Sequence, residues 1–119
     1  MNWDSASHYC GKFGWRLAEI KTQAQQDLFK SKTESGELWG GFWLGARDST
    51  SISQVTWEGH DWPEDIKLQN FGQQMYFSTP LTCLYLSAWS SSSWATIQCS
   101  FEWFSPMCET IPKINYYRF

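Results

Sequence analysis

The stretch Ser92-Ser93-Trp94-Ala95-Thr96-Ile97-Gln98-Cys99 (SSWATIQC) places a large aromatic five residues ahead of a cysteine, with no charge between them. Aromatic and β-branched residues in such a run favour a strand, and a Trp at one end with a Cys at the other anchors it beside a disulfide. Working outward, Leu81 to Ser87 and Phe104 to Glu109 have the same strand character, with Ser90 to Ser93 as the turn between the first two segments. Upstream, Phe42-Trp43-Leu44-Gly45 and Val55-Thr56-Trp57 read as two further short strands. Between them and Leu81 lies Glu58 to Pro80, a long stretch with little periodicity. Loops of that length in a compact domain are commonly functional.

The first third of the chain has a different period. Asp4 or Ser5 caps a helix in which Ala6, Tyr9, Cys10 and Phe13 recur at three and four spacing, and Gly14 is placed to end it. Trp15, Leu17 and Ile20 follow as a short extended segment. Thr22 and Gln25 then form a capping-box pattern that opens a second helix, with Ala24, Leu28 and Phe29 expected to face inward. Two helices followed by strands define an α+β domain with antiparallel sheets. No internal repeat is present.

At 119 residues the chain fits one domain, long enough to bury roughly two thirds of its unfolded surface. Nine Trp, eight Phe and five Tyr exceed what a core of this size needs to hide, so some are expected at a surface. The net charge is -3 and the Lys and Arg residues are scattered singly, which argues against a nucleic-acid or anionic-lipid surface. Lys67 to Glu102 encloses a run without charge, but its Gln, Ser, Thr and Asn make it too polar to cross a membrane. Asp4 arrives before any apolar run, so a secretory leader is expected to be absent or already removed.

The four cysteines, at 10, 83, 99 and 108, show no CxxC spacing and no His pair for zinc. An even count in a small Trp-rich domain favours two disulfides and an oxidising compartment, with three pairings open and four buried thiols as the alternative. His8 and His60 lie in no nucleophile or metal-ligand motif, and no Ser sits in a nucleophile elbow, so catalysis is not expected. Asp61, Glu64 and Asp65 in HDWPED form the densest carboxylate group, which reads as a solvated loop tip shaped by Pro63 rather than a cation or docking site.

Taken in order, Cys10, WLGARD at Trp43 to Asp48, WEG at Trp57 to Gly59, Cys83, WATIQC at Trp94 to Cys99 and PMCE at Pro106 to Glu109 resemble the C-type lectin-like domain. The opening MNWDSASHYC and the later LAEI are similar to that family's first helix and second strand. The resemblance covers about residues 1–110 and implies pairing Cys10 with Cys108 and Cys83 with Cys99. Closing loops of about 100 and about 15 residues disfavours the unfolded chain by roughly 3 to 5 kcal/mol each in the entropy model.

In sugar-binding members of the family, calcium is held by a Glu-Pro-Asn or Gln-Pro-Asp triplet in the long loop and a Trp-Asn-Asp triplet before the third cysteine. Here Gln73, Gln74 and Met75 stand at the first triplet, and Trp94, Ala95 and Thr96 at the second. From Ile66 through Phe101 there is no Asp or Glu at all, whereas Ca²⁺ requires six to eight oxygens with carboxylates among them. Asp48 matches an accessory calcium position of some relatives, but Ile52 falls near where a further acidic ligand belongs. No metal or other cofactor is expected.

What remains for recognition is the long loop. Trp62, Met75, Tyr76 and Phe77 are candidate contact residues, joined by Gln73, Gln74, Trp94 and Thr96; the competing expectation, favoured for Trp62 and Phe71, is that they fold inward to fill the loop's own core. The expected function is extracellular, calcium-independent recognition of a protein partner, with glycan binding at the same loop as the alternative and a structural or matrix role as the third reading. The family fold begins with a strand that this chain lacks before its first helix, while residues 111–119 extend past the domain and Ile114 to Phe119 has strand character. Two readings of that extension stand side by side: it fills the missing strand's place, in its own chain or, by exchange, in a homodimer, or it is a loose tail on a domain truncated at its front.

Overall fold

The computed structural model describes residues 1–48, 55–58, 64–66, 82–88 and 93–110. Helix α1 (Trp3–Gly11) leads into strand β1 (Trp15–Leu17), helix α2 (Gln23–Glu34) and strands β2 (Gly41–Arg47), β3 (Thr56–Trp57), β4 (Glu64–Asp65), β5 (Thr82–Ser87), β6 (Ser93–Gln98), β7 (Ser105–Pro106) and β8 (Cys108–Thr110). One sheet has the order β4-β3-β2-β5-β6 with β7 added beside β2, and a second pairs β1 with β8. The pairings are antiparallel except β2 with β7, which is parallel and registers Phe42 with Ser105.

The first helix starts earlier than expected. Its cap is Asn2, whose side chain accepts from the Ser5 N–H at 2.8 Å, and Asp4 falls in the first turn where a negative charge suits the helix dipole. The earlier start carries Trp3 into the core, where its indole N–H donates to the Leu44 carbonyl at 2.8 Å. The buried stripe is Trp3, Ala6 and Cys10. Tyr9 lies beyond its edge and Phe13 beyond the helix end, so both are exposed and pack edge-on against each other at 5.4 Å. Gly14, at φ +72°, makes the turn that ends this segment.

In α2 the capping box forms as its residues imply, with Thr22 and Gln25 satisfying each other's backbone donors. The inward face differs from the one expected. Ala24 and Leu28 are exposed, Phe29 is half-buried, and the buried residue is Gln26. Its side chain is drawn inward because a buried indole across the interface requires an acceptor.

Period-two alternation divides the core between the two faces of the central sheet. On one face Leu44, Ala46, Leu84, Leu86 and Trp94 cluster with Ala18, Ile20, Val55 and Trp57. On the other, Trp43, Cys83 and Phe104 cluster with Trp3, Ala6, Cys10 and Leu17 from α1 and β1. The expected strand from Phe104 to Glu109 is split at Met107, which donates to the Trp43 carbonyl and accepts from the Ala18 N–H. One backbone thereby stitches the two sheets together.

Both disulfides are formed, Cys10 to Cys108 and Cys83 to Cys99, which is the pairing the resemblance implied. Glu64 and Asp65, read above as part of a loop tip, form a short strand paired with Trp57 and Thr56. Asp61, Ile52, Phe71 and residues 111–119 lie outside the described residues.

Candidate ligand-binding region

The antiparallel pair of β5 and β6 positions the residues from Ser93 to Gln98. Leu86 faces Trp94, Tyr85 faces Ala95 and Leu84 faces Thr96 across the ladder. Because alternate residues share a face, Trp94 and Thr96 point the same way, and the structure buries both, Trp94 at 0% exposure. Trp94 meets the edge of Trp57 at 5.9 Å, and its Nε1 donates to Gln26 Oε1 at 3.0 Å. Trp94 and Thr96 were expected among contact residues, and that placement is corrected: both belong to the interior, held there by strand alternation. The other six, Trp62, Gln73, Gln74, Met75, Tyr76 and Phe77, lie outside the described residues.

The fit of this region to calcium follows from its donors. Ala95 has no side-chain oxygen, the Thr96 hydroxyl is on a buried residue, and residues 66–101 carry no carboxylate. These positions do not supply the charged oxygens the ion requires. Asp48 is also buried, and its N–H donates to the Thr82 carbonyl at 2.8 Å. Among the described residues no group of three or more His, Cys, Asp and Glu is arranged to hold a metal.

The charged groups that do converge serve the scaffold. The buried Glu19 carboxylate lies 3.2 Å from Lys21 and 3.8 Å from Arg16, and Arg16 reaches on to Glu109 at 2.8 Å, tying β1 to β8. Arg47 lies over the Trp3 ring at 4.9 Å, between Asp4 and Glu58. A small cavity of about 50 Å³ between α1, β1 and β2 is lined by Trp3, Ser7, Arg16, Leu17, Gly45 and Glu58. Tyr85 packs on Phe104 at 4.4 Å, and burial pushes its hydroxyl above the ordinary tyrosine range.

Two exposed aromatics were not singled out from the sequence. Trp39 is 77% exposed and Trp103 is 85% exposed. Each lies two residues before a strand, Trp39 ahead of β2 and Trp103 ahead of β7. The aromatic excess pointed to some exposed rings; neither carries a periodic pattern that would have named it.

Comparison with known proteins agrees with this architecture. The lectin C-type domain family matches residues 1–110, and the chain belongs to that family. Over 66 residues, 49% of this chain, it is 33% identical to salivary C-type lectin 1 of Aedes albopictus, and the match spans 40% of that protein. The chain therefore aligns with less than half the length of that relative. Among solved structures, CEL-IV is similar with a TM-score of 0.75 at 18% identity, over 98% of this chain and 85% of that one. The carbohydrate-recognition domain of the mouse scavenger receptor C-type lectin gives 0.71 at 22%, over 93% and 84%. At these identities the likeness to solved structures is one of fold. No helix among the described residues is long and apolar enough to cross a membrane.

Proposed function

We propose that this C-type lectin domain is an extracellular recognition module that binds without calcium, through its long loop, to a protein surface. The observation that carries the reading is the carboxylate-free run from Ile66 through Phe101, in which Ala95 and Thr96 stand at the expected calcium pair while Trp94 keeps its core role. Met75, Tyr76 and Phe77 in the loop are side chains of the kind that anchor protein interfaces. Two formed disulfides support an oxidising compartment. The domain is read as a binder and not a catalyst.

Glycan binding at the same loop is the second reading, favoured by the fold shared with a carbohydrate-recognition domain. Gln73 and Gln74 would supply neutral hydrogen bonds, worth only about 1 kcal/mol each against water, so affinity would be low. A glycan array probed in calcium and in EDTA separates the readings. The expected result is no glycan signal in either buffer; a signal indifferent to EDTA selects the second reading, and one abolished by EDTA overturns calcium independence.

A further inference from the structure

Where β5 begins, a buried hydroxyl lacks a partner, and we infer that an internal water molecule bridges it to a buried carboxylate on the neighbouring chain segment. Among the described residues, Thr82 Oγ1 is the buried side-chain oxygen that makes no hydrogen bond. Thr82 is 2% exposed, so bulk solvent does not reach it. Buried polar groups without partners are rare, because the hydration given up on folding is not replaced.

Strand register places the counterparts. Arg47 pairs with Cys83, so the next pair is Asp48 with Thr82, where the Asp48 N–H donates to the Thr82 carbonyl at 2.8 Å. On its other side Thr82 pairs with Gln98 of β6. Residues directly opposite in antiparallel strands share a face, so Asp48, Thr82 and Gln98 form one polar row across the sheet. Leu84, Leu86 and Trp94 continue that face as apolar core.

The occupant follows from span and chemistry. Opposed Cβ atoms lie roughly 4.5–5.5 Å apart, and one water bonded at about 2.8 Å to each of two oxygens spans up to about 5.6 Å. Asp48 is 3% exposed, and a carboxylate has about four acceptor sites, so it can take a water proton besides its other bonds. The exposed Gln98 amide reaches in from the rim. Thr82, Asp48 and Gln98 together supply the about three polar partners usual for a buried water. One carboxylate with two neutral groups suits water and not a divalent ion, which needs more charged oxygens. Asp48 and Thr82 bracket residues 49–81, which contain the long loop. A water held between them ties the departing chain to the returning one, whatever partner the loop takes.

A high-resolution crystal structure of the full chain and urea unfolding of Thr82→Val test this. A water is expected within about 3 Å of both Thr82 Oγ1 and an Asp48 carboxylate oxygen. Thr82→Val keeps the side-chain volume but removes the hydroxyl, and it is expected to lose that water and lower the folding equilibrium constant about tenfold. A dry site in the unaltered chain overturns the inference, as does a Thr82→Val variant as stable as the unaltered chain or more so. A direct bond from Thr82 Oγ1 to a protein group also overturns it, and so does an ion there with ligand distances of about 2.4 Å.

Discussion

Trp94, packed in the core, donates a neutral hydrogen bond across the interface between α2 and the sheet. Its Nε1 lies 3.0 Å from Gln26 Oε1, and both residues are buried. An indole N–H left unpaired in such a place costs the full desolvation of the donor. Gln26→Ala is therefore expected to lower unfolding free energy by about 1–3 kcal/mol in urea titration, while Ala24→Ser, on the exposed side of α2, leaves it nearly unchanged. The scaffold role of Trp94 was legible in its spacing from Cys99. Its burial against Gln26 was not, because periodicity marks a polar residue as outward unless the partner that needs it is known. For the same reason Thr96 was assigned to a surface: a strand covered on its Thr96 face looks no different in sequence from one open there.

Among the elements, the best-read were those with a local chemical signature. The capping box at Thr22 and Gln25 sits where its residues implied, since both reciprocal bonds lie within one turn. The cap of α1 was misplaced because Asn2, Asp4 and Ser5 all make competent N-caps, and the choice was decided by Trp3 entering the core. The division of the last strand at Met107 depends on β2 being beside it in space, which no short window of sequence reveals. That contact is tight at Gly41, where an added Cβ would fall on the Phe104 ring, itself wedged against Trp43 and Tyr85. Gly41→Ala is expected to destabilise by about 1–3 kcal/mol through overpacking, read as a lower thermal midpoint. A midpoint unchanged by this substitution would mean that β2 and β7 are not held this closely.

At the scale of the whole molecule, the Cys10 to Cys108 bridge spans 98 residues and joins the first helix to the last strand. Replacing both cysteines with Ala is expected to cost about 4–5 kcal/mol in the chain-entropy model, a large share of the stability of a domain this size. Calorimetric unfolding of the Cys10→Ala, Cys108→Ala variant checks this; a loss under about 1 kcal/mol would show that the bridge merely decorates a core that closes without it. The fold was legible at this scale because the Trp, Gly and Cys residues of this chain, taken in order, carry the resemblance, and the family matches residues 1–110. The ligand was not, because the calcium pair that the resemblance implies for sugar-binding members falls here on Ala95 and Thr96, which name no ligand in its place.

That substitution makes calcium the most direct probe. A ligand that binds only the folded state raises its stability by RT ln(1 + [L]/Kd), so a real site moves the thermal midpoint steadily with calcium concentration. Melting curves of the full chain in millimolar-range calcium and in EDTA are expected to superimpose. A midpoint that climbs with the logarithm of calcium concentration would establish a metal site in this domain and contradict calcium-independent recognition.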